Sequence, residues 1–272
     1  MNALFCRAVT AAAILAPALW LTACASSSVT QTGAISSYGT LEPVKTTRTK
    51  ARIWASGPDL AAARSVRIDL VRYGPLVDSH VSPGESALIA NRIGRTLCLK
   101  LSDRYDIVPS PGRADLTVRV AITRMTATDR TAAAASLPLR AATMIFGIPF
   151  AARFPVGLGA FAAEGEAVDL AGRQQAAMVW ARGADMFTNR ARISKIGDAY
   201  DLSGAFAGDL AALIVTGRNP LHDVPPMPGQ ERTRPIPEAC AAYGKVNSAE
   251  GFVGSFVGAP PSVTEGKPPA PR

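Results

Sequence analysis

The sequence predicts an α+β domain: a single, mostly antiparallel sheet with helices packed on one face, in the order β-α-β-β-β-β-α. Two kinds of periodicity carry that expectation. Segments at residues 65–74, 115–126, 161–170 and 174–182 have the composition and patterning of half-buried or buried strands, clearest where apolar and polar residues alternate. Two longer segments, near residues 83–101 and 201–216, repeat apolar residues at helical spacing instead.

Taken in order, Val66, Ile68 and Leu70 alternate with Arg67 and Asp69, a strand with one buried face. Ser82-Pro83-Gly84-Glu85 then opens a helix that runs to Leu101. Ser82 is the N-cap, Pro83 takes the first helical position, and Glu85 stands at the capping-box spacing. Leu88, Ile93, Leu97 and Leu101 form its stripe, with Arg92, Arg95 and Lys100 largely outside. Residues 105–108 form a short strand and 109–112 a turn. Residues 115–126 make the clearest strand, with Leu116, Val118, Val120 and Ile122 on one face and Thr117, Arg119, Ala121 and Thr123 on the other. Ala171-Gly172-Arg173 joins the next two strands as a hairpin. Leu202, Phe206, Leu210 and Leu213 define the last helix, which Gly217-Arg218-Asn219-Pro220 stops.

Several of these segments carry a family resemblance. Trp54-x3-Pro58-Asp59-Leu60 followed by SVRIDLVRY is one of them. Tyr105-Asp106-Ile107-Val108, Pro111-Gly112 and the strand from Asp115 to Thr123 follow, and then Glu164-x-Glu166-x2-Asp169-x2-Gly172. In order and spacing the chain resembles the domain-of-unknown-function 3313 family of Gram-negative lipoproteins over residues 35–220. It departs at Ala171, where the family usually has Thr. The resemblance implies a lipoprotein of this fold and supplies no catalytic residue, because the family has no established activity.

The start of the chain leads to the same place independently. One basic residue, Arg7, precedes an almost purely apolar run over residues 8–21. That run is shorter than the roughly 20 residues of a spanning helix and has the form of an export signal. It ends in Leu21-Thr22-Ala23-Cys24, which resembles the bacterial lipobox. In that class the Cys24 thiol receives a diacylglyceryl group, residues 1–23 are removed and the new amine is acylated. Ala25 rather than Asp after the cysteine implies sorting to the outer membrane, with the domain facing the periplasm. The expected organisation is a signal peptide (1–23), a flexible Ser/Thr/Gly-rich tether (24–40), the α+β domain (41–220), a C-terminal extension (221–250) and a Pro-rich disordered tail (251–272).

Net charge is +8, with Lys45, Arg48, Lys50 and Arg52 the densest basic run. That run is read as a solvated loop or as a contact with anionic headgroups. No aromatic interleaving accompanies it, so nucleic acid is not an expected partner. Of the four cysteines, Cys6 lies in the signal and Cys24 in the lipobox. Cys98 and Cys240 are then a candidate disulfide of an oxidising compartment, or two buried thiols.

Catalytic signals are weak. Gly157-Leu158-Gly159-Ala160-Phe161-Ala162 matches a relaxed dinucleotide fingerprint, but a period-two segment follows it where a helix is required. His80 and His222, the two imidazoles, have no second ligand at metal spacing. Glu164, Glu166 and Asp169 could pair as acid and base or bind a cation, but Glu164 and Glu166 share a strand face, which is read as the solvated side beside a turn. No catalytic residue, metal or cofactor is expected. Residues 137–163 are almost wholly apolar and broken by Gly and Pro, which argues against a long regular helix. They are either a buried crossover or an interaction surface; Met144, Ile145, Phe146, Ile148, Phe150 and Phe154 are the candidates for the latter. The leading expectation is a non-enzymatic binding or assembly module of the cell envelope, tethered through Cys24 and meeting an envelope protein or glycan. A subunit of an oligomeric outer-membrane pore or secretion accessory is the alternative, and an envelope hydrolase the third.

Overall fold

The computed structural model describes residues 29–74, 77, 81–145, 156–185, 192–221, 234–244 and 258–265, with backbone alone for residues 139–145. Its elements are β1 (Glu42–Lys45), β2 (Thr49–Ala55), α1 (Gly57–Ala62), β3 (Ser65–Ile68), β4 (Arg72–Tyr73), α2 (Pro83–Leu101) and β5 (Asp106–Ile107). They continue with β6 (Leu116–Thr126), α3 (Arg130–Ile145), β7 (Ala160–Asp169), β8 (Gln174–Gly183) and α4 (Gly197–Thr216). A 3₁₀ helix (Glu238–Tyr243) and a helical turn (Pro261–Thr264) follow. The strands form one sheet in the order β1-β2-β8-β7-β6-β3-β5, with β4 also paired to β6. The five strands from β1 to β6 are antiparallel neighbours, whereas β3 and β4 run parallel to β6 and β5 runs parallel to β3. The protein is therefore α+β with a mostly antiparallel sheet, as the periodicities predict.

Helix α2 begins where its capping box places it: Ser82 Oγ accepts from the Glu85 amide, and the Glu85 carboxylate accepts from the Ser82 amide. Its stripe of Leu88, Ile89, Ile93, Leu97 and Leu101 is buried against the sheet and α4. Arg95, expected outside that stripe, is buried too. Helix α4 starts at Gly197, earlier than expected, and ends on Gly217 at φ 62, the left-handed cap that glycine favours. Across the inner sheet face, Phe161, Trp180 and Phe206 meet with ring centroids 5.9–6.3 Å apart. Gly165 of β7 lets α4 approach closely, since a Cβ there would strike Leu210.

Four expectations are corrected. The strand over 65–74 breaks in two because Ile68 pairs with Val118 and Arg72 with Ala121, so one extra residue bulges out of the ladder. Leu70 falls in that bulge and is 88% exposed rather than buried. The basic run around Lys45–Arg52 is a hairpin, not a loop: Ala51 and Ile53 are buried while Lys50 faces water. Part of the apolar stretch is helical after all. The Ala-rich turn from Arg130, capped by Asp129 Oδ1 on the Thr131 and Ala132 amides, carries α3 through Pro138 to Ile145. Lastly, part of the tail expected as disordered is folded. The Gly258 carbonyl accepts from Ile193 N at 3.0 Å, and Glu265 pairs with Arg95.

Cys98 of α2 is bonded to Cys240 of the 3₁₀ helix, with Cα atoms 5.7 Å apart and a sequence separation of 142. The bridge fastens the C-terminal extension onto α2, where the Tyr243 ring also packs over Gly94. Closing so long a loop removes about 4–5 kcal/mol of unfolded-state entropy in the chain-entropy model. Replacing both cysteines by alanine is expected to lower the unfolding free energy by about 3–5 kcal/mol in urea titrations. Wild type under strong reductant should lose a similar amount; equal stability in all three cases would contradict the bridge.

Candidate functional site

The most organised polar feature lies on the sheet face opposite α2 and α4. Along β7, Phe161, Ala163, Gly165 and Ala167 point to the helices, so period-two geometry sends Ala162, Glu164, Glu166 and Val168 to the outer face. Glu164 and Glu166 do share a face, but it is not the solvated one: both side chains are buried. What covers them is the segment expected as a flexible tether. Over its described part, residues 29–40, that segment lies against the sheet.

An extended chain presents alternate amides to one side, and this segment uses three of them. Glu164 Oε1 accepts from Thr32 N at 2.7 Å and from Thr32 Oγ1 at 3.1 Å, and its Oε2 accepts from Ala34 N at 3.2 Å and from the Tyr38 hydroxyl. Glu166 Oε2 accepts from Ser36 N at 2.8 Å and Gln174 Nε2 at 2.9 Å, and its Oε1 accepts from Ser36 Oγ at 3.0 Å. Arg119 Nη1 stands 3.8 Å from Glu166 and supplies a counter-charge. Arg72 Nη2 donates to the Ala34 carbonyl, and Gln174 Nε2 to that of Ser37. Between the polar contacts Ile35 enters a small apolar cluster with Leu41, Ala177 and Val179, flanked by Trp54 and Tyr38. Burial, and then the bond to Glu164, push the Tyr38 hydroxyl pKa upward, so it stays a donor.

Both carboxylates thus spend their acceptor sites on the chain itself, which is a structural clamp and not an exposed acid–base pair. The polar, low-hydrophobicity composition of residues 29–40 hid this, because the signal lies in amides that every residue has. Elsewhere Gly157 and Gly159 lead into strand β7, and Gly159 N donates to Asp198 Oδ2 at 2.7 Å. That arrangement is loop packing, not a phosphate cradle. Among the described residues no group of three or more His, Cys, Asp or Glu could hold a metal ion, and no helix is long and apolar enough to cross a membrane.

Comparison of the sequence with known proteins identifies a family. The model for "Protein of unknown function (DUF3313)" matches residues 30–210. The chain belongs to that family. No curated protein matches the sequence. Two solved structures of PelC from Paraburkholderia phytofirmans are distantly similar. A dodecamer of a point variant gives a TM-score of 0.38 at 11% identity, covering 62% of this chain and 99% of that one. A second dodecamer gives 0.37 at 10%, covering 62% and 98%. Similarity this distant carries no argument about this chain.

Within this DUF3313 chain, Leu21, Thr22, Ala23 and Cys24 lie outside the described residues, as do His80, His222, Phe146, Ile148, Phe150 and Phe154. Met144 and Ile145 fall in the last turn of α3. One carboxyl that sequence reasoning passed over stands out. Asp209 of α4 accepts from Trp180 Nε1 at 2.9 Å, and burial pushes its pKa up to about 6, against the opposing pull of that bond and of Arg182.

Two predictions follow from these carboxyls. Glu164→Ala with Glu166→Ala leaves the amides of Thr32, Ala34 and Ser36 without acceptors. Their hydrogen exchange is expected to accelerate at least about tenfold, the equivalent of one charged bond. Unchanged rates would mean that the clamp does not hold the segment. Asp209 binds its proton more tightly folded than unfolded, so its contribution to stability is full below its ordinary value of 3.8 and is lost as pH rises through about 6. Asp209→Asn is expected to raise stability above pH 6 by about 2 kcal/mol relative to its effect at pH 4. Melting curves across that range, followed by Trp180 emission, read the difference directly.

Proposed function

We propose that this protein is an envelope lipoprotein, acylated at Cys24 and held at the periplasmic side of the outer membrane, whose α+β domain is a non-enzymatic binding or assembly module. The observation that carries the reading is the sequence Leu21-Thr22-Ala23-Cys24 at the end of a short apolar run, taken together with the clamp that begins at Thr32. Eight residue steps lead from the lipidation position to the first clamped residue, an extended reach of about 28 Å at most. A tether running free to residue 40 would reach about twice as far. The clamp therefore keeps the sheet's outer face and the basic β1–β2 hairpin within a short distance of the anchor. At about 0.8 kcal/mol per buried methylene, more than one acyl chain makes such an anchor effectively permanent.

The clamp also supports the non-enzymatic part of the reading. The one pair of acids with strand spacing suited to acid–base work is committed to the protein's own main chain. A binding module needs a stable presented surface and no freed proton, and a chain that buries its polar groups on itself suits that role.

Intact-mass analysis of the native N-terminal peptide should find Cys24 as the first residue, carrying diacylglycerol and an N-acyl chain. Cys24→Ala should move the protein out of the membrane fraction while leaving the domain's melting temperature unchanged. An unmodified thiol at position 24, or a mature N-terminus elsewhere, would sink the proposal.

A further inference from the structure

A second buried polar cluster sits on the helical side, where α2 crosses the start of α4. The guanidinium carbons of Arg92 and Arg192 each lie 5.3 Å from the centroid of the Tyr200 ring, and Arg95 Nη2 donates to the Tyr200 hydroxyl at 3.2 Å. Three cations therefore surround one phenol. Facing them are two carboxylates: Asp201, paired with Arg192 at 3.2 Å, and Glu265, paired with Arg95. Arg95 Nη1 reaches the Tyr243 carbonyl at 3.2 Å as well.

Arg92 is the member without a bonded partner. Its Nε is buried with no hydrogen bond, and Asp201 and Glu265 act on it through space. A Cβ on Gly204 would approach that Nε to 2.7 Å, so the facing helix is cut away at this point. Burial, and then the neighbouring charge of Arg95, depress the Arg92 pKa. Native chains rarely retain an unsatisfied buried group without a use for it. An anionic ligand is the use that three guanidinium groups serve best.

The chain already supplies one anion. Residues 258–265 lie at the cluster: Ile193 N donates to the Gly258 carbonyl at 3.0 Å, Arg192 Nη1 to the Ala259 carbonyl at 3.4 Å, Pro261 is buried, and Glu265 meets Arg95. These contacts consist of two carbonyls, a seated proline that opens a helical turn and one carboxylate, a set that an acidic, proline-containing peptide can supply. With Glu265 withdrawn, Asp201 is the carboxylate that remains paired with one of the three arginines among the described residues.

We propose that Arg92, Arg95 and Arg192 form a recognition site for a proline-containing, carboxylate-bearing peptide segment, which residues 258–265 occupy in cis until a partner's acidic segment displaces them. The inference rests on reading the domain as a binding module but not on its anchor. A free phosphate or carboxylate would meet the charge and leave the carbonyl and proline contacts unused, which is why a peptide is the favoured class.

The test uses the full chain purified in detergent and a labelled peptide with the sequence of residues 258–265, followed by fluorescence polarisation. Glu265→Gln vacates the charge, and its Kd is expected to be at least tenfold below that of wild type. Changing the peptide's glutamate to glutamine, or adding Arg92→Met to the protein, should each weaken binding at least tenfold. Methionine replaces a buried, unpaired charge, so the unliganded melting temperature should not fall. If Glu265→Gln proves unstable, wild type is titrated with peptide above the tail's own effective concentration, on the order of millimolar. Displacement then appears as faster amide exchange at Val263 and Thr264. Absence of binding in either format, binding indifferent to Arg92→Met, or displacement by inorganic phosphate as effective as by unlabelled peptide would each overturn the proposal. None of those outcomes touches the lipid at Cys24, which mass spectrometry judges separately.

Discussion

Strand β7 carries two carboxylates that a folded chain cannot leave dry and unpaired, and much of the architecture is arranged around that constraint. β7 is flanked by β6 and β8 at the middle of the antiparallel part of the sheet, so both of its faces are interior positions. Helices α2 and α4 cover one face. The other offers Glu164 and Glu166, whose desolvation is costly unless donors replace water. Alternate amides of residues 32–36, the Tyr38 hydroxyl and Gln174 are those donors. The N-terminal segment is thereby part of the fold, and Ile35 and Leu41 add an apolar seal over Ala177 and Val179.

The inner face obeys a steric constraint instead. Its β7 residues are small, and Gly165 admits Leu210 and Phe206 of α4 almost to the sheet backbone. That close approach brings Asp209 under the Trp180 indole and sets the rotation of α4, which turns Tyr200 and Asp201 toward α2. The Cys98–Cys240 bridge then presses the C-terminal extension onto the far side of α2. One strand of alternating glutamate and small residues thus positions the features on both sides of the sheet.

What could be read from the sequence was whatever has a local cause. The α2 boundary follows from Ser82 and Glu85, the β7–β8 hairpin from Gly172 at φ 78, and β6 from strict alternation. The misreadings share a different cause. Leu70 keeps the period-two pattern yet is expelled by a one-residue bulge that only the pairing with β6 reveals. Residues 29–40 look like a linker because their contribution is mostly main-chain N–H groups aimed at carboxylates 130–132 residues away. Arg95 looks like an exposed helix residue because its partners, Tyr200, Tyr243 and Glu265, are distant in sequence. Composition reports the mean tendency of a segment, and in each case a few long-range polar contacts outweigh it.

A common logic joins the two ends of the described chain. Both were polar or proline-rich enough to be read as loose, and both are held by charges buried in the domain. Carboxylates on the sheet catch amide donors from the N-terminal side; guanidinium groups on the helices catch carbonyls and a carboxylate from the C-terminal side. A buried charge left unpaired destabilises the fold strongly, so each cluster demands an occupant at all times. The two differ in how well that demand is met. Around Glu164 and Glu166 every carboxylate oxygen has a bonded donor, and exchange of the occupant would have to break several charged bonds at once. Around Tyr200 one guanidinium keeps an unused donor, and one of the two carboxylates that face the cluster sits on residues 258–265. The first arrangement suits a permanent strap, the second an occupant that can be traded.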